Sequence, residues 1–420
     1  MQALLVCFLI AIGVQTAVRL WLAARQMEAV RRARGQVPPA FAATISRADQ
    51  ERATDYTLAR VRFGQLTIVL DAVLKLLLTI GGGVAAAAAL ASRSGWSEPW
   101  RGMLLVGIVS LVLWLVDVPV EAWRTFRIEA RFGFNRTTPG LFVRDLLKQA
   151  LLGVLIGAPL LLATLLLMQR AGRAWWLYAF GLWLLAMVAL TWAAPRFIAP
   201  LFNRFTPLED TELRRRVEAL IARCGFAARG GVFVMDGSRR SAHGNAYFTG
   251  LGRNRRIVFF DTLLARIEPA EVEAVLAHEL GHFRLHHVRQ RLVVSALAVL
   301  GGLAVLGALS AREAFYATFG IAEASPAAAL MLFMLIVPAF TFFTTPLRSW
   351  WSRRHEREAD DFAVGFAHPR HLAAALIKLY RDNSTPLATD RVYSAFYDSH
   401  PPALERIERL RSLMPAGSGA

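Results

Sequence analysis

Apolar residues in this chain arrive in blocks, and the blocks limit its fold more than any other feature. Seven segments, near residues 3–22, 66–90, 103–120, 150–168, 174–194, 292–309 and 327–347, are mainly apolar, and most are long enough to cross a membrane. A hydrocarbon core about 30 Å thick requires about 20 such residues in a helix, which satisfies its backbone polar groups within the segment. A chain of 420 residues could otherwise form about two or three soluble domains, but 55% of its residues are hydrophobic and only 19% charged. The expected fold is mainly α: a polytopic membrane protein of about seven transmembrane helices, capped by an α+β portion with a small β-hairpin. The first block lacks a basic leading region and a small-residue cleavage site, so it reads as a retained helix rather than a signal peptide.

Arginine sets the expected orientation. Arg25, Arg31, Arg32, Arg34, Arg47, Arg52, Arg60 and Arg62 follow the first block, and Arg124, Arg127, Arg131, Arg136 and Arg144 follow the third. The alternate connections, near 91–101, 170–173 and 310–326, hold one or two arginines each. Basic loops stay on the cytoplasmic side. The N-terminus is therefore expected outside, with the 195–291 region and the C-terminus in the cytoplasm. Residues 1–194 would hold spans one to five, 195–291 a cytoplasmic region, 292–347 spans six and seven, and 348–420 further cytoplasmic helices. The net charge of +17 lies on these loops beside spans, so membrane lipid is the expected partner and nucleic acid is not. Lysine occurs only at 75, 148 and 378. So heavy a use of arginine fits a GC-rich genome, and a bacterial cytoplasmic membrane is the expected location.

Charges also occur inside the blocks. Arg19, Asp71, Lys75 and Asp117 lie at membrane depth, where facing lipid costs several kcal/mol. Asp71 and Lys75, four residues apart, can pair on one helix; alternatively, the four residues line a hydrated interior. Pro159 and Pro338 are expected to bend their spans. Cys7 and Cys224 are not expected to form a disulfide.

The chemistry centres on residues 278–282, His-Glu-Leu-Gly-His. Two histidines four apart on a helix share a face and can reach one metal ion, and Glu279 between them can take a proton from an attacking water. Pro269, Glu271 and the apolar stripe Val272, Val275, Leu276 and Leu280 mark the segment as an amphipathic helix. A zinc site with an open position needs a third protein ligand. On a continuous helix His286 and His287 lie about 12 Å along, too far to supply it. Glu356 and Asp360, in a charged helix from 348 to 366, offer a ligand and a brace for a ligating histidine.

Around this centre the polar region reads as short elements. Residues 209–224 form an amphipathic helix with Leu213, Val217, Leu220, Ile221 and Cys224 on one face. Residues 231–235 form a strand, and 246–249 with 256–260 form a hairpin joined by Gly250–Asn254. Such a hairpin can be purely structural, or can hold an extended peptide as an added strand. His400 sits on a rigid turn, Ser399-His400-Pro401-Pro402, as a solvated loop histidine would.

Several of these stretches together resemble one family. HELGH at 278–282, SRRHEREAD at 352–360, SHPP at 399–402 followed by Glu405 and Arg406, RRSAHGNAYF at 239–248, RIVFFDTLL at 256–264, PLFNRFTPL at 200–208 and FGFNRTT at 132–138 look like the type I CAAX prenyl endoproteases. The resemblance implies a seven-span zinc metalloendopeptidase with a water-filled chamber. One zinc ion per chain would be bound by His278, His282 and Glu356, with Glu279 as general base and Asp360 behind a zinc histidine. It also implies that His400 and Arg406 stabilise the tetrahedral intermediate, and that Asn245, Ala246 and Tyr247 hold the peptide. The implied substrate is a peptide or protein, lipidated or hydrophobic, cut near its C-terminus. His287 matches a family histidine without an assigned role, and His355 stands where the family usually has an aromatic residue. The runner-up activity is quality control of membrane proteins by a heat-shock type protease. The non-enzymatic alternative is a transporter or channel with a vestigial zinc site.

Overall fold

The computed structural model describes residues 2–209, 211–226, 231–249 and 256–414. Its first half is helical: α1 (Gln2–Arg32), α2 (Arg47–Leu78), α3 (Gly83–Ser92), α4 (Trp100–Trp123), α5 (Pro139–Arg170) and α6 (Trp175–Ala193). After the short α7 (Ala199–Phe202) come β1 (Phe205–Pro207), α8 (Thr211–Arg223), β2 (Val232–Met235), β3 (Ala246–Thr249), β4 (Arg256–Phe260), α9 (Asp261–Leu264) and α10 (Pro269–Arg284). Next are α11 (His287–Ser310), α12 (Glu313–Thr318) and α13 (Pro326–Thr341). The chain closes with α14 (Thr345–Val364), α15 (Pro369–Asp382), α16 (Arg391–Tyr397) and α17 (Ala403–Ser412).

Among the described residues, six helical stretches are long and apolar enough to cross a membrane, or seven if α2 and α3 count as one bent span. They coincide with the seven apolar blocks. The second block, expected as one helix, is instead broken: α2 and α3 meet at 48°. The cause is local, because Gly81, Gly82 and Gly83 stand at the break and Gly82 takes the left-handed φ of +79°. Pro159 and Pro338, expected to bend their spans, do not interrupt α5 or α13.

Small residues let α13 sit in the middle of the bundle, packed against α1, α3, α4, α5 and α11. Ala327, Ala328 and Ala329 are fully buried there. A Cβ on Gly102 of α4 would come within 2.9 Å of the Ala327 Cβ, so these two backbones approach as closely as small residues allow. Leu147, Leu151, Val154 and Leu155 form an exposed apolar band on α5, as a lipid-facing surface would. Asp71 pairs with Lys75 as expected, at 2.9 Å, and also with Arg19 of α1, which was not expected, at 3.2 Å. Pairing within the fold thus accounts for three of the four charges at membrane depth, while Asp117 is exposed on α4.

The sheet runs in the order β1-β2-β4-β3, with β2 and β4 parallel and the other pairs antiparallel. The expected hairpin pairs Ala246 with Phe259 and Thr249 with Arg256; its connection, 250–254, lies outside the described residues. Leu213, Val217, Leu220, Ile221 and Cys224 of α8 enter one core with Phe259, Leu276, Leu280 and Ile407. Both cysteines are free. Arg240 ties this part to the membrane helices, through Asp145 of α5 at 2.8 Å and Asn203 at 2.8 Å.

Candidate active site

Local chemistry starts the helix that carries the site. Pro269 occupies the first turn of α10, and Glu268 and Glu271 close a capping box across it. Val272, Val275, Leu276 and Leu280 then anchor one face in the core. The opposite face presents His278 and His282, whose Nε2 atoms stand 3.2 Å apart. Helix α14 crosses α10 at Gly281, where a Cβ would meet the Ala359 Cα at 3.1 Å. This close crossing brings in the third group. Glu356 Oε2 lies 3.3 Å from His278 Nε2, and Oε1 lies 3.2 Å from His282 Nε2.

These residues fit a tetrahedral zinc ion. With metal–ligand bonds of about 2.0–2.1 Å, tetrahedral ligands stand about 3.3–3.4 Å from one another, close to the separations seen here. Glu356 is 3% exposed, and its Oε2 is buried without a hydrogen-bond partner, a cost that a bound cation would remove. Burial works to raise the Glu356 carboxyl, but its contacts with His278 and His282 hold it well below the usual carboxylate range.

The far side of His278 is equally defined. Its Nδ1 lies 2.8 Å from Asp360 Oδ1, and Arg406 grips that carboxylate through Nε at 2.9 Å and Nη2 at 2.7 Å. Burial raises the Asp360 carboxyl, yet Arg406 and His278 outweigh it and bring it down to about 2. Arg406 was expected to face the reacting carbonyl. Two of its nitrogens are held by Asp360, and Nη1 lies 3.6 Å from Glu356 Oε2.

His400 does not behave as a solvated loop residue. Its Nε2 stands 3.4 Å from Glu356 Oε2, while Ser399 Oγ lies 2.9 Å from its Nδ1. Its side chain is 61% exposed, but it lines the cavity beside the site, and desolvation there lowers its basicity. Burial also raises the Glu279 carboxyl, which makes it a better base near neutrality.

A cavity of about 1030 Å³ opens from this site toward α1 and α2, lined by His400, Asn245 and Arg406 on one side and Arg19, Gln26 and Arg60 on the other. Of the three residues expected to hold a peptide, Asn245 lines the cavity. Ala246 is buried, and Tyr247 packs edge-on against Phe260. Among the described residues β3 is an edge strand, paired only with β4.

One neighbour was missed. The chain leaves α10 through His286 at a left-handed φ of +61° and turns back, so His287 Nδ1 comes to 3.0 Å from His282 Nδ1. Reasoning from a continuous helix put this residue far away. The turn itself has no glycine to announce it. His355 stacks on His287 at 3.9 Å, filling the place where an aromatic ring was expected. Burial, with His287 and Arg291 adding to it, pushes the His355 imidazole down to about 4.

Two helix-borne histidines, a carboxylate from a second helix and a flanking glutamate, set on a bundle of apolar helices, define an integral-membrane metallopeptidase. Residues 207–414 match the model of peptidase family M48, and residues 26–204 match that of the CAAX prenyl protease N-terminal region with five membrane helices. A CAAX prenyl protease 1 homolog from Oryza sativa is 32% identical over 383 residues, covering 89% of this chain and 90% of the relative. CAAX prenyl protease 1 of Saccharomyces cerevisiae is 35% identical over 328 residues, covering 74% and 72%. The crystal structure of S. mikatae Ste24p superposes with a TM-score of 0.91 at 29% identity, over 97% of this chain and 98% of that one. The chain belongs to the CAAX prenyl protease 1 (Ste24) family of M48 peptidases, and is a membrane zinc metalloendopeptidase of that type. The relatives named are eukaryotic and lend the expected bacterial source no support.

Proposed function

We propose that this enzyme holds one zinc ion per chain through His278, His282 and Glu356 and cuts lipidated or hydrophobic peptides near their C-termini. The observation that carries the reading is the triangle of ligand atoms, at 3.2–3.3 Å spacing, beside a cavity that reaches the membrane helices. Zinc held there supplies Lewis-acid chemistry, polarising the scissile carbonyl and acidifying the attacking water. Glu279 takes the proton of that water as it adds to the carbonyl, and returns it to the leaving amine. His400 donates from Nε2 to the developing oxyanion, and Arg406 supports it with charge while keeping Asp360 on His278. The edge of β3, from Asn245 to Tyr247, pairs with the extended peptide.

Residues 1–194 and 292–347 form the membrane part in this reading, and 195–291 with 348–420 form a cytoplasmic catalytic part. The prenylated CAAX terminus named for the relatives is the substrate class we assign. Incubation with farnesylated and unprenylated forms of one CAAX peptide, followed by mass spectrometry, tests it. Release of the terminal tripeptide from the farnesylated form is expected. Equal cutting of both forms, or cutting at internal bonds only, would favour quality control of membrane proteins instead.

A further inference from the structure

The zinc histidines of the proposed site are supported differently. His278 passes its Nδ1 directly to the carboxylate of Asp360. His282 meets another imidazole, the Nδ1 of His287 at 3.0 Å. Behind it, His287 Nε2 lies 3.0 Å from Glu358 Oε2, and Arg354 holds the other oxygen of Glu358 at 2.8 Å.

Hydrogen bonding leaves one consistent arrangement of protons. If His282 offers its Nε2 lone pair to the metal, its proton sits on Nδ1 and needs an acceptor. His287 Nδ1 is placed to accept, which puts the His287 proton on Nε2, facing the Glu358 carboxylate. His287 is 1% exposed, so water cannot replace either contact. Its ring is further pinned by His355, stacked at 3.9 Å and 6°. Gln290 fixes that ring in turn: its amide nitrogen donates to the Leu285 carbonyl at 3.2 Å, leaving Oε1 to accept from His355 Nε2 at 3.0 Å.

We propose that His287 is a positioning residue for zinc, accepting from His282 and relaying the load to Glu358, so that the His282 tautomer is fixed. This rests on the ligand assignment above. A second metal site is the competing use of the same groups, since donor atoms of His287, His355 and Glu358 lie within 4.8 Å of one another. The stacking argues against it. Lone pairs of imidazole lie in the ring plane, and two nearly parallel rings cannot both aim theirs at one ion about 2 Å away.

The test is the zinc affinity of the purified full-length protein, measured by chelator competition, with metal stoichiometry and thermal melting alongside. His287→Phe keeps the stacking and removes the acceptor; it should weaken zinc binding about 10-fold to 100-fold, as loss of an outer partner does. His287→Asn, whose Oδ1 stands near the lost Nδ1, should recover most of that loss. Glu358→Ala should fall between, and His355→Phe should bind one zinc ion as the parent does. Parental affinity in His287→Phe overturns the proposal, as does a second zinc ion lost in His355→Phe. Should His287→Phe fail to melt as a folded protein, Glu358→Ala decides, and unchanged affinity there also overturns it. A His282→Ala variant that keeps parental affinity would instead remove the ligand assignment on which the relay rests.

Discussion

Glu356, Glu279 and His400 occupy different corners of one small site, and each predicts a different loss. On the proposed ligand set, Glu356→Ala removes a buried ligand and leaves two histidines, so the variant should give up its zinc to a chelator that spares the parent; retained zinc in metal analysis would displace Glu356 from the ligand set. Glu279→Gln keeps shape and ligands but cannot accept a proton. It should retain zinc and lose kcat by about 100-fold to 10,000-fold, the usual worth of a positioned base. Because burial raises the Glu279 carboxyl and only its deprotonated form acts, kcat/KM of the parent should fall on acidification with a limb above the ordinary carboxylate range. A limb at or below about 4.3 would deny the desolvated base. In the proposed mechanism His400→Ala removes a donor used mainly in the transition state. It should lower kcat about 100-fold to 1,000-fold with little change in KM, and a change in KM alone would make His400 a recognition residue. The gathering of Glu279 and Glu356 with the two histidines was legible in the sequence because HExxH is a compact pattern that lacks a third ligand. His400 was singled out only by the family resemblance of SHPP. The bidentate hold of Arg406 on Asp360 was not legible, since which of two nearby carboxylates an arginine grips depends on how α14 and α17 pack.

At the scale of elements, periodicity identified nearly everything that is long or patterned. The apolar blocks, the α8 face and the β3–β4 pair all follow from spacing alone. The parallel pairing of β2 with β4 did not, because four-residue strands joined through other elements carry no register signal of their own. The return of His287 was hidden for a related reason: a left-handed His286 is held by its surroundings against its own preference. One glycine links element packing to the metal. Gly281 lets α14 approach α10 so closely that an added Cβ meets Ala359 Cα at 3.1 Å, its carbonyl oxygen at 3.1 Å and Phe362 Cβ at 3.2 Å. Backbone on one side cannot rotate away. Gly281→Val should therefore push the helices apart, costing about 1–3 kcal/mol in stability and moving Glu356 off the histidines. Thermal melting and zinc affinity should fall together; a variant that melts and binds zinc like the parent would show that the crossing has slack.

For the whole molecule, what the fold leaves open is which side of the membrane the catalytic part faces, and arginine placement predicts the cytoplasmic side. The stretches 25–62, around the α1–α2 turn, and 124–144, from the end of α4 into α5, carry the thirteen arginines named above, whereas the α5–α6 turn has Arg170 and Arg173. Each arginine kept beside an anionic inner leaflet gains about 1 kcal/mol, so reversing the bundle would forfeit many such contributions at once. Arg240 adds a mechanical constraint. By joining Asp145 and Asn203 it holds the catalytic part to the end of α5 opposite Arg170, so both ends of that helix cannot share a side. The test is single-cysteine labelling in intact cells, in a chain with Cys7 and Cys224 replaced by serine. An impermeant maleimide should label Arg173→Cys from outside. It should leave Arg214→Cys, on the exposed face of α8, unlabelled until the membrane is permeabilised. The opposite pattern would place the zinc site outside the cell. It would also leave the positive charge of the α1–α2 and α4–α5 connections without the anionic leaflet that explains it.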